Sequence, residues 1–146
     1  MQYRLSCNPT WEETALDEVG TIYRDWFENN IRCLVMRGPA SLCAYLGIPL
    51  NHPLANFNYN DIPLNVHGGL TFGAFGDNEY RPIGYFWYGW DYAHAGDCCF
   101  YYNKYPYLNS DDKKWLVNEV EKEIKEVLWD FEKLVTLAEK ITNKKL

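Results

Sequence analysis

Apolar residues recur at spacings of three and four along the C-terminal part of the chain, and this stripe constrains the fold more than any other feature. Its members are Leu116, Val120, Ile124, Val127, Leu128, Phe131, Leu134, Val135 and Ala138. This spacing places all of them on one face of an α-helix. Ser110 and the two aspartates after it suit a helix N-terminus, so the pattern predicts a helix from Ser110 to about Ile141. A stripe of this length exceeds what a small sheet covers, and we expect its far end to pack on another copy in a homo-oligomer.

Two segments in the middle of the chain predict an antiparallel hairpin. Residues 83–92 are dense in Tyr, Phe and Trp, which favour strands. Residues 65–75 show a strand pattern that is interrupted at Gly68-Gly69. A turn sequence separates the two segments, so we expect them to pair. Pairing would bring His67 and the segment from Asp91 to Asp97 to the same end of the sheet.

The N-terminal part of the chain predicts further elements. The sequence Thr10-Trp11-Glu12-Glu13 is a capping box, and the apolar spacing after it predicts a helix over residues 11–28. Residues 31–36 predict a short strand, residues 40–46 one or two helical turns, and residues 47–64 a loop rich in Pro and Asn. The whole chain of 146 residues is therefore predicted to be one α+β domain, with a small antiparallel sheet, an N-terminal helix and a long C-terminal helix.

The charge of the chain limits the classes of partner. The formal net charge is −6, and most of the excess negative charge lies in the first 109 residues. We therefore expect no duplex nucleic acid as a partner, because such proteins carry basic patches. The five cysteines include no Cys-x-x-Cys pair, and neither a signal peptide nor a membrane-spanning apolar run is evident. These features predict a cytosolic protein with reduced thiols and no membrane partner.

All three histidines lie in one stretch that is rich in glycine and aspartate. Imidazole titrates near neutral pH and binds metals, so clustered use of a rare residue indicates a site. One alternative is a metal site that draws its ligands from His52, His67, Asp91, His94 and Asp97. Because their spacing matches no strong metal-binding signature, we predict neither a metal nor a cofactor.

The other alternative is a polar pocket for an anionic or nucleotide-like ligand. Backbone N–H groups at Gly68-Gly69 could face phosphate or ribose, and Arg37 could offset the phosphate charge. The candidate ligand-binding residues are Arg37, His52, His67, Gly68, Gly69, Trp90, Asp91, His94 and Asp97. In an enzyme, His67 and His94 would be the catalytic acid and base and Asp97 would orient them. Binding and cleavage require the same residues, so the sequence leaves both open.

Three blocks of the sequence carry a resemblance. They are Leu42-Cys43-Ala44-Tyr45-Leu46-Gly47-Ile48-Pro49 with His52-Pro53 after it, Val66-His67-Gly68-Gly69-Leu70-Thr71, and Gly89-Trp90-Asp91-Tyr92-Ala93-His94-Ala95-Gly96-Asp97. In order and spacing these blocks resemble a family of small bacteriophage proteins of largely unknown function. The chain departs from the family pattern at Ala44, where the pattern has Gly, and at Trp90, where Phe is usual. Neither departure removes a titratable group.

The resemblance implies a phage accessory protein that acts in the host cytoplasm. Phage proteins of this kind often counter bacterial defence, and several bind or destroy nucleotide-derived immune signals. The function we expect is therefore sequestration of such a signal, of the cyclic ADP-ribose or cyclic dinucleotide type. In that role Trp90 would stack on a base. The alternative is a phosphodiesterase that cleaves a cyclic nucleotide signal with His67 and His94.

Overall fold

The protein is built on one antiparallel sheet with a long helix across one face. The computed structural model describes residues 2–5, 7–105 and 111–144, with the backbone alone from residue 141. The five strands lie in the order β1-β2-β3-β5-β4, and every neighbouring pair is antiparallel. The strands are β1 Ile22–Glu28, β2 Ile31–Arg37, β3 Leu42–Pro49, β4 Phe72–Phe75 and β5 Tyr85–Asp91; the helices are α1 Trp11–Leu16 and α2 Val117–Lys144. The predicted α+β fold is confirmed.

The predicted helix over residues 11–28 is wrong after its first turns. The capping box is present, since Thr10 and Glu13 bond reciprocally, but α1 ends at Leu16. β1 follows and pairs with β2 around Asn29 and Asn30. Both asparagines have positive φ values, of 53° and 65°, which suit a two-residue hairpin turn. The apolar residues of β1 recur at spacings that also suit a helix, so their spacing does not distinguish a helix from a strand. Pairing with β2 makes this segment a strand.

Helical turns were predicted over residues 40–46, and the structure has the central strand β3 there instead. β3 hydrogen-bonds to β2 on one side and to β5 on the other. A central strand covered on both faces is apolar almost throughout and lacks the alternation typical of edge strands. Gly47 leaves room for the Trp87 ring, which a Cβ would approach to 2.7 Å.

The predicted hairpin is confirmed, although its first strand is shorter than predicted. β4 pairs with β5, with Phe72 opposite Gly89. His67 lies before this strand, in a turn where Gly68 and Gly69 have φ values of 71° and 79°. Glycine adopts such values at the lowest cost because it has no Cβ, so the chain turns here.

The long helix is confirmed with a later start. α2 begins at Val117, because Lys113 is bonded through its backbone to Gly96 and Cys98; Ser110, the predicted start, lies outside the described residues. The stripe is buried at its central members, from Val120 to Phe131, whereas Leu116 is 37% exposed. The late members Leu134, Val135 and Ala138 are partly buried against the core. Trp129 and Leu137, which lie outside the stripe, are 70% and 55% exposed. No helix within the described residues has the length and apolar character needed to cross a membrane.

Candidate functional site

Two segments that were predicted to form a site meet at the end of the sheet where β4 begins and β5 ends. The His67 turn precedes β4, and the segment from His94 to Asp97 follows β5. Because β4 and β5 are antiparallel neighbours, the two segments meet at the same edge. The Nε2 atom of His67 lies 2.6 Å from Oδ2 of Asp97, so the predicted proximity is confirmed.

Asp97 is a buried carboxylate that accepts three hydrogen bonds. Its side chain is 4% exposed. Oδ2 accepts from His67 Nε2 and from the backbone N–H of His94, and Oδ1 accepts from Trp115 Nε1 at 2.8 Å. An ionised carboxylate only accepts, so the hydrogen of a neutral His67 ring lies on Nε2. That tautomer leaves a lone pair on Nδ1, which has no hydrogen-bond partner among the described residues.

The His67 ring is held between two aromatic side chains. It stacks on Tyr92 with 4.8 Å between ring centroids and 9° between planes. Trp115 packs against it at 4.8 Å in a tilted arrangement. One-quarter of the His67 side chain stays exposed. The imidazole is therefore fixed in orientation while one edge remains open to a ligand.

Glu123 of α2 bonds to the His67 turn and to the aromatic residues beside it. It accepts hydrogen bonds from the hydroxyl of Tyr92, from Trp90 Nε1 at 3.2 Å and from the backbone N–H of His67 at 3.2 Å. Burial, together with the hydrogen bond to Glu123, raises the pKa of Tyr92, so its hydroxyl remains a donor. Through these bonds α2 holds both the His67 turn and the ring on which His67 stacks.

His94 and Asp91 form a second pair beside the first. His94 Nε2 is buried and lies 3.1 Å from Asp91 Oδ1 without forming a hydrogen bond, although each side chain as a whole is about one-third exposed. Asp91 accepts from the N–H of Ala93 and the hydroxyl of Thr71. The ring centroids of His67 and His94 are 5.7 Å apart. Two imidazoles, each beside its own carboxylate, thus face one region of the surface.

The glycine turn supplies backbone groups to the same region. Gly68 is exposed, and its N–H has no acceptor within the part of the chain that the structure describes. A Cβ on Gly69 would meet no atom within 4 Å, so this side of the turn is open. An unpaired N–H beside an open space can donate to an anionic oxygen.

Three predicted ligand-binding residues lie outside this region. Arg37 donates to four backbone carbonyls near α1. His52 stacks on Phe131 and accepts from the N–H of Leu54, and burial lowers its pKa. Trp90 is next to the site, but its 1% exposure leaves no free ring face for a base. The structure brings together His67, Gly68, Gly69, Asp91, His94 and Asp97.

Sequence reasoning missed Trp115 and Glu123. Trp115 comes just before α2 and reaches Asp97 because the backbone of Lys113 bonds to that of Cys98. Glu123 falls within the apolar stripe, next to Ile124, on the face that packs towards the sheet. A carboxylate inside such a stripe is an available signal, because buried charges require partners.

An acidic groove lies next to the site. Its volume is about 310 Å³, and it is lined by Trp115 and by four α2 residues, Glu119, Lys122, Glu123 and Glu126. Trp115 and Glu123 contact His67, but neither histidine lines the groove. In the described ranges, no group of three or more His, Cys, Asp or Glu side chains is arranged to hold a metal ion. Each histidine contacts a separate carboxylate, and His52 lies apart.

No family model matches the chain, and neither a curated protein nor a solved structure matches it. The fold and the paired histidines are therefore the observations from which a function can be proposed.

Proposed function

We propose that the protein is an acid–base phosphodiesterase that acts on a small nucleotide at the His67–His94 site. The observation that carries the proposal is the pair of partly exposed imidazoles, 5.7 Å apart, each beside its own carboxylate. Cleavage of a phosphodiester requires a group that removes a proton from the nucleophile and another that protonates the leaving oxygen. Two oriented imidazoles on one surface can supply both.

The open nitrogen of His67 suits the role of general base. Asp97 holds the Nε2 hydrogen, so Nδ1 accepts a proton from water as the water oxygen attacks phosphorus. His94 donates a proton from Nδ1 to the leaving oxygen as its bond to phosphorus breaks, because its Nε2 is buried beside Asp91. The free N–H of Gly68 donates to a non-bridging oxygen as negative charge develops there. The products are a phosphomonoester and an alcohol, and Asp97 is a positioning residue that does not touch the substrate.

The shape of the site favours cleavage over sequestration. A protein that captures a small ligand tightly encloses most of the ligand surface. Here Asp97 is buried and bonded to three protein donors, Trp90 is buried, and Arg37 and His52 lie elsewhere. The remaining groups, namely His67, His94 and the N–H of Gly68, can contact one phosphodiester but do not enclose a whole dinucleotide. Sequestration, the function expected from the sequence, stays an alternative if a second copy closes the site.

An acidic groove next to the site narrows the class of substrate. Glu119, Glu123 and Glu126 line it together with Lys122 and Trp115. Repulsion from these carboxylates disfavours substrates of high negative charge such as polyphosphates. A cyclic mononucleotide, with one negative charge, suits the site best, and a cyclic dinucleotide, with two, follows it. The resemblance to phage proteins predicts that such a substrate is a bacterial immune signal.

The test is to incubate the protein with a panel of cyclic mono- and dinucleotides and to detect linear products by mass spectrometry. His67→Gln and His94→Gln should each lower turnover by about 10²–10⁴-fold. His52→Asn is the matched control, since His52 lies away from the site, and it should keep full turnover. The proposal fails if the wild type forms no linear product, or if product formation survives in both site variants.

A further inference from the structure

Arg37 differs from the other arginines in that it forms no ion pair with a carboxylate among the described residues. Arg4, Arg24, Arg32 and Arg81 each form an ion pair with an Asp or Glu. Arg37 forms none with the described residues, although it is only 8% exposed. Buried charges in proteins are normally paired, so an unpaired buried guanidinium calls for an explanation.

The protein holds Arg37 through neutral groups. Its guanidinium donates to the carbonyls of Thr14, Ala15, Gly38 and Pro39, and it lies 4.3 Å from the centroid of the Phe100 ring. These bonds use four of the five N–H donors that a guanidinium has and leave one on Nη2. They fix the orientation of the group without neutralising its charge. Burial lowers the pKa of Arg37, and the charge of Asp17, with which Arg37 forms no ion pair, opposes this only in part.

Arg37 lines an open cavity that contains a second cation. The cavity has a volume of about 410 Å³, which is in the range of small-molecule sites. Lys104 lies on its lining and forms no ion pair with the described residues. The other walls are largely apolar or aromatic, and they comprise Ala15, Leu16, Pro39, Phe100, Tyr101 and Asn103. Tyr101 stacks on Tyr102 with one ring face and is 49% exposed, so the other face is available for packing.

We propose that this cavity, which we call the Arg37 cavity, binds an organic oxyanion, a carboxylate or a phosphate carried on a flat apolar ring. The oxyanion accepts the remaining N–H of Arg37 and pairs with Lys104. The ring packs against the exposed side chains of Leu16 and Tyr101. The ligand thereby supplies the ion-pair partner that the fold does not. The cavity shares no residue with the His67–His94 site, so the inference is independent of the phosphodiesterase proposal.

The experiment uses phenyl phosphate and benzoate as probes, with phenol as the uncharged control. Binding to the intact protein is measured by calorimetry and by the NMR signal of Arg37 Nε–H. Substitution of Arg37 itself risks the fold, because its bonds fasten the end of α1. Lys104→Glu reverses the exposed charge of the cavity instead. Lys133→Glu, an exposed lysine on α2 far from the cavity lining, is the matched control.

The proposal expects at least one anionic probe to bind and to shift the Arg37 signal. Lys104→Glu should weaken that binding by at least about tenfold, and Lys133→Glu should leave it within about twofold. The preferred probe tells whether the anion is a phosphate or a carboxylate. Binding should persist in His94→Gln, which separates this site from the proposed active site. The proposal is overturned if neither anion binds at about 10 mM, if phenol binds equally well, or if Lys104→Glu has no effect.

Discussion

The imidazole of His94 occupies the space in which a side chain at position 68 would lie. A Cβ built on Gly68 would overlap the His94 ring, with Nε2 as its nearest atom. Gly68 also has a φ of 71°, which disfavours any residue with a Cβ. This glycine therefore allows the turn and also allows His94 to approach the His67 segment.

Gly68→Ala should consequently abolish most of the turnover. The left-handed backbone costs about 1–2 kcal/mol for alanine, and the new methyl group displaces His94 from its place beside Asp91. Gly69→Ala has the same backbone cost, at a φ of 79°, but its methyl group would point into open space. Thermal unfolding and turnover of both variants check this prediction. Equal loss of turnover in the two variants would mean that the contact with His94 is unimportant.

Asp97→Asn should leave the fold intact and impair catalysis. Asparagine keeps the shape of the side chain but has one acceptor oxygen, whereas Asp97 accepts from His67, His94 and Trp115. We expect a loss of about 1–3 kcal/mol in stability and of about 10²–10⁴-fold in turnover, because the His67 tautomer is no longer fixed. Turnover is measured at saturating substrate, with circular dichroism as the check on folding. Near wild-type turnover in the folded variant would remove Asp97 from the mechanism.

Glu123→Gln should destabilise the protein, because Glu123 lies within the apolar stripe and accepts three hydrogen bonds there. A glutamine presents one acceptor oxygen to three donors, from Tyr92, Trp90 and the backbone of His67. The amide therefore faces at least one donor without an acceptor, and the free energy of unfolding should fall by about 1–3 kcal/mol. Glu126→Gln, at an exposed position of the same helix, should change it by about 0.5 kcal/mol or less. Denaturant unfolding of the two variants gives the comparison, and equal values would show that the Glu123 network adds little.

His52 should make the protein less stable in mild acid. Burial lowers its pKa in the folded state, and Glu139 opposes this only in part. The folded state therefore favours neutral His52: its stabilisation is complete above the unfolded-state pKa of about 6.5 and is lost as the pH falls through the lower folded-state pKa. His52→Asn keeps an acceptor for the N–H of Leu54 and cannot titrate. Its unfolding free energy should depend less on pH below about 6.5 than that of the wild type; an unchanged dependence would assign the effect to other groups.

The sequence predicted those parts of the fold whose pattern is local. The stripe of α2 and the aromatic strand β5 both follow from the spacing of neighbouring residues. β1 and β3 were mistaken for helices, because their strand character comes from pairing with β2 and β5 and not from alternation in their own residues.

The sequence predicted those parts of the candidate site that depend on the β4–β5 hairpin. Pairing of β4 with β5 brings His67 to Asp97, as predicted. Trp115 and Glu123 could not be placed, because they reach the site through the packing of α2, and Glu123 is 56 residues from His67 along the chain. Arg37 was assigned to the same pocket on charge alone, and the fold places it against α1 instead.

The most direct test of the central claim is to determine whether the protein cleaves a nucleotide signal or only sequesters it. The purified protein is incubated with cyclic dinucleotides and cyclic ADP-ribose isomers, and the filtrate is assayed before and after heat denaturation. The account predicts that at least one cyclic dinucleotide or mononucleotide is replaced by its linear product, and that heating does not restore it. A signal that disappears and returns intact after heating would contradict the account and establish sequestration.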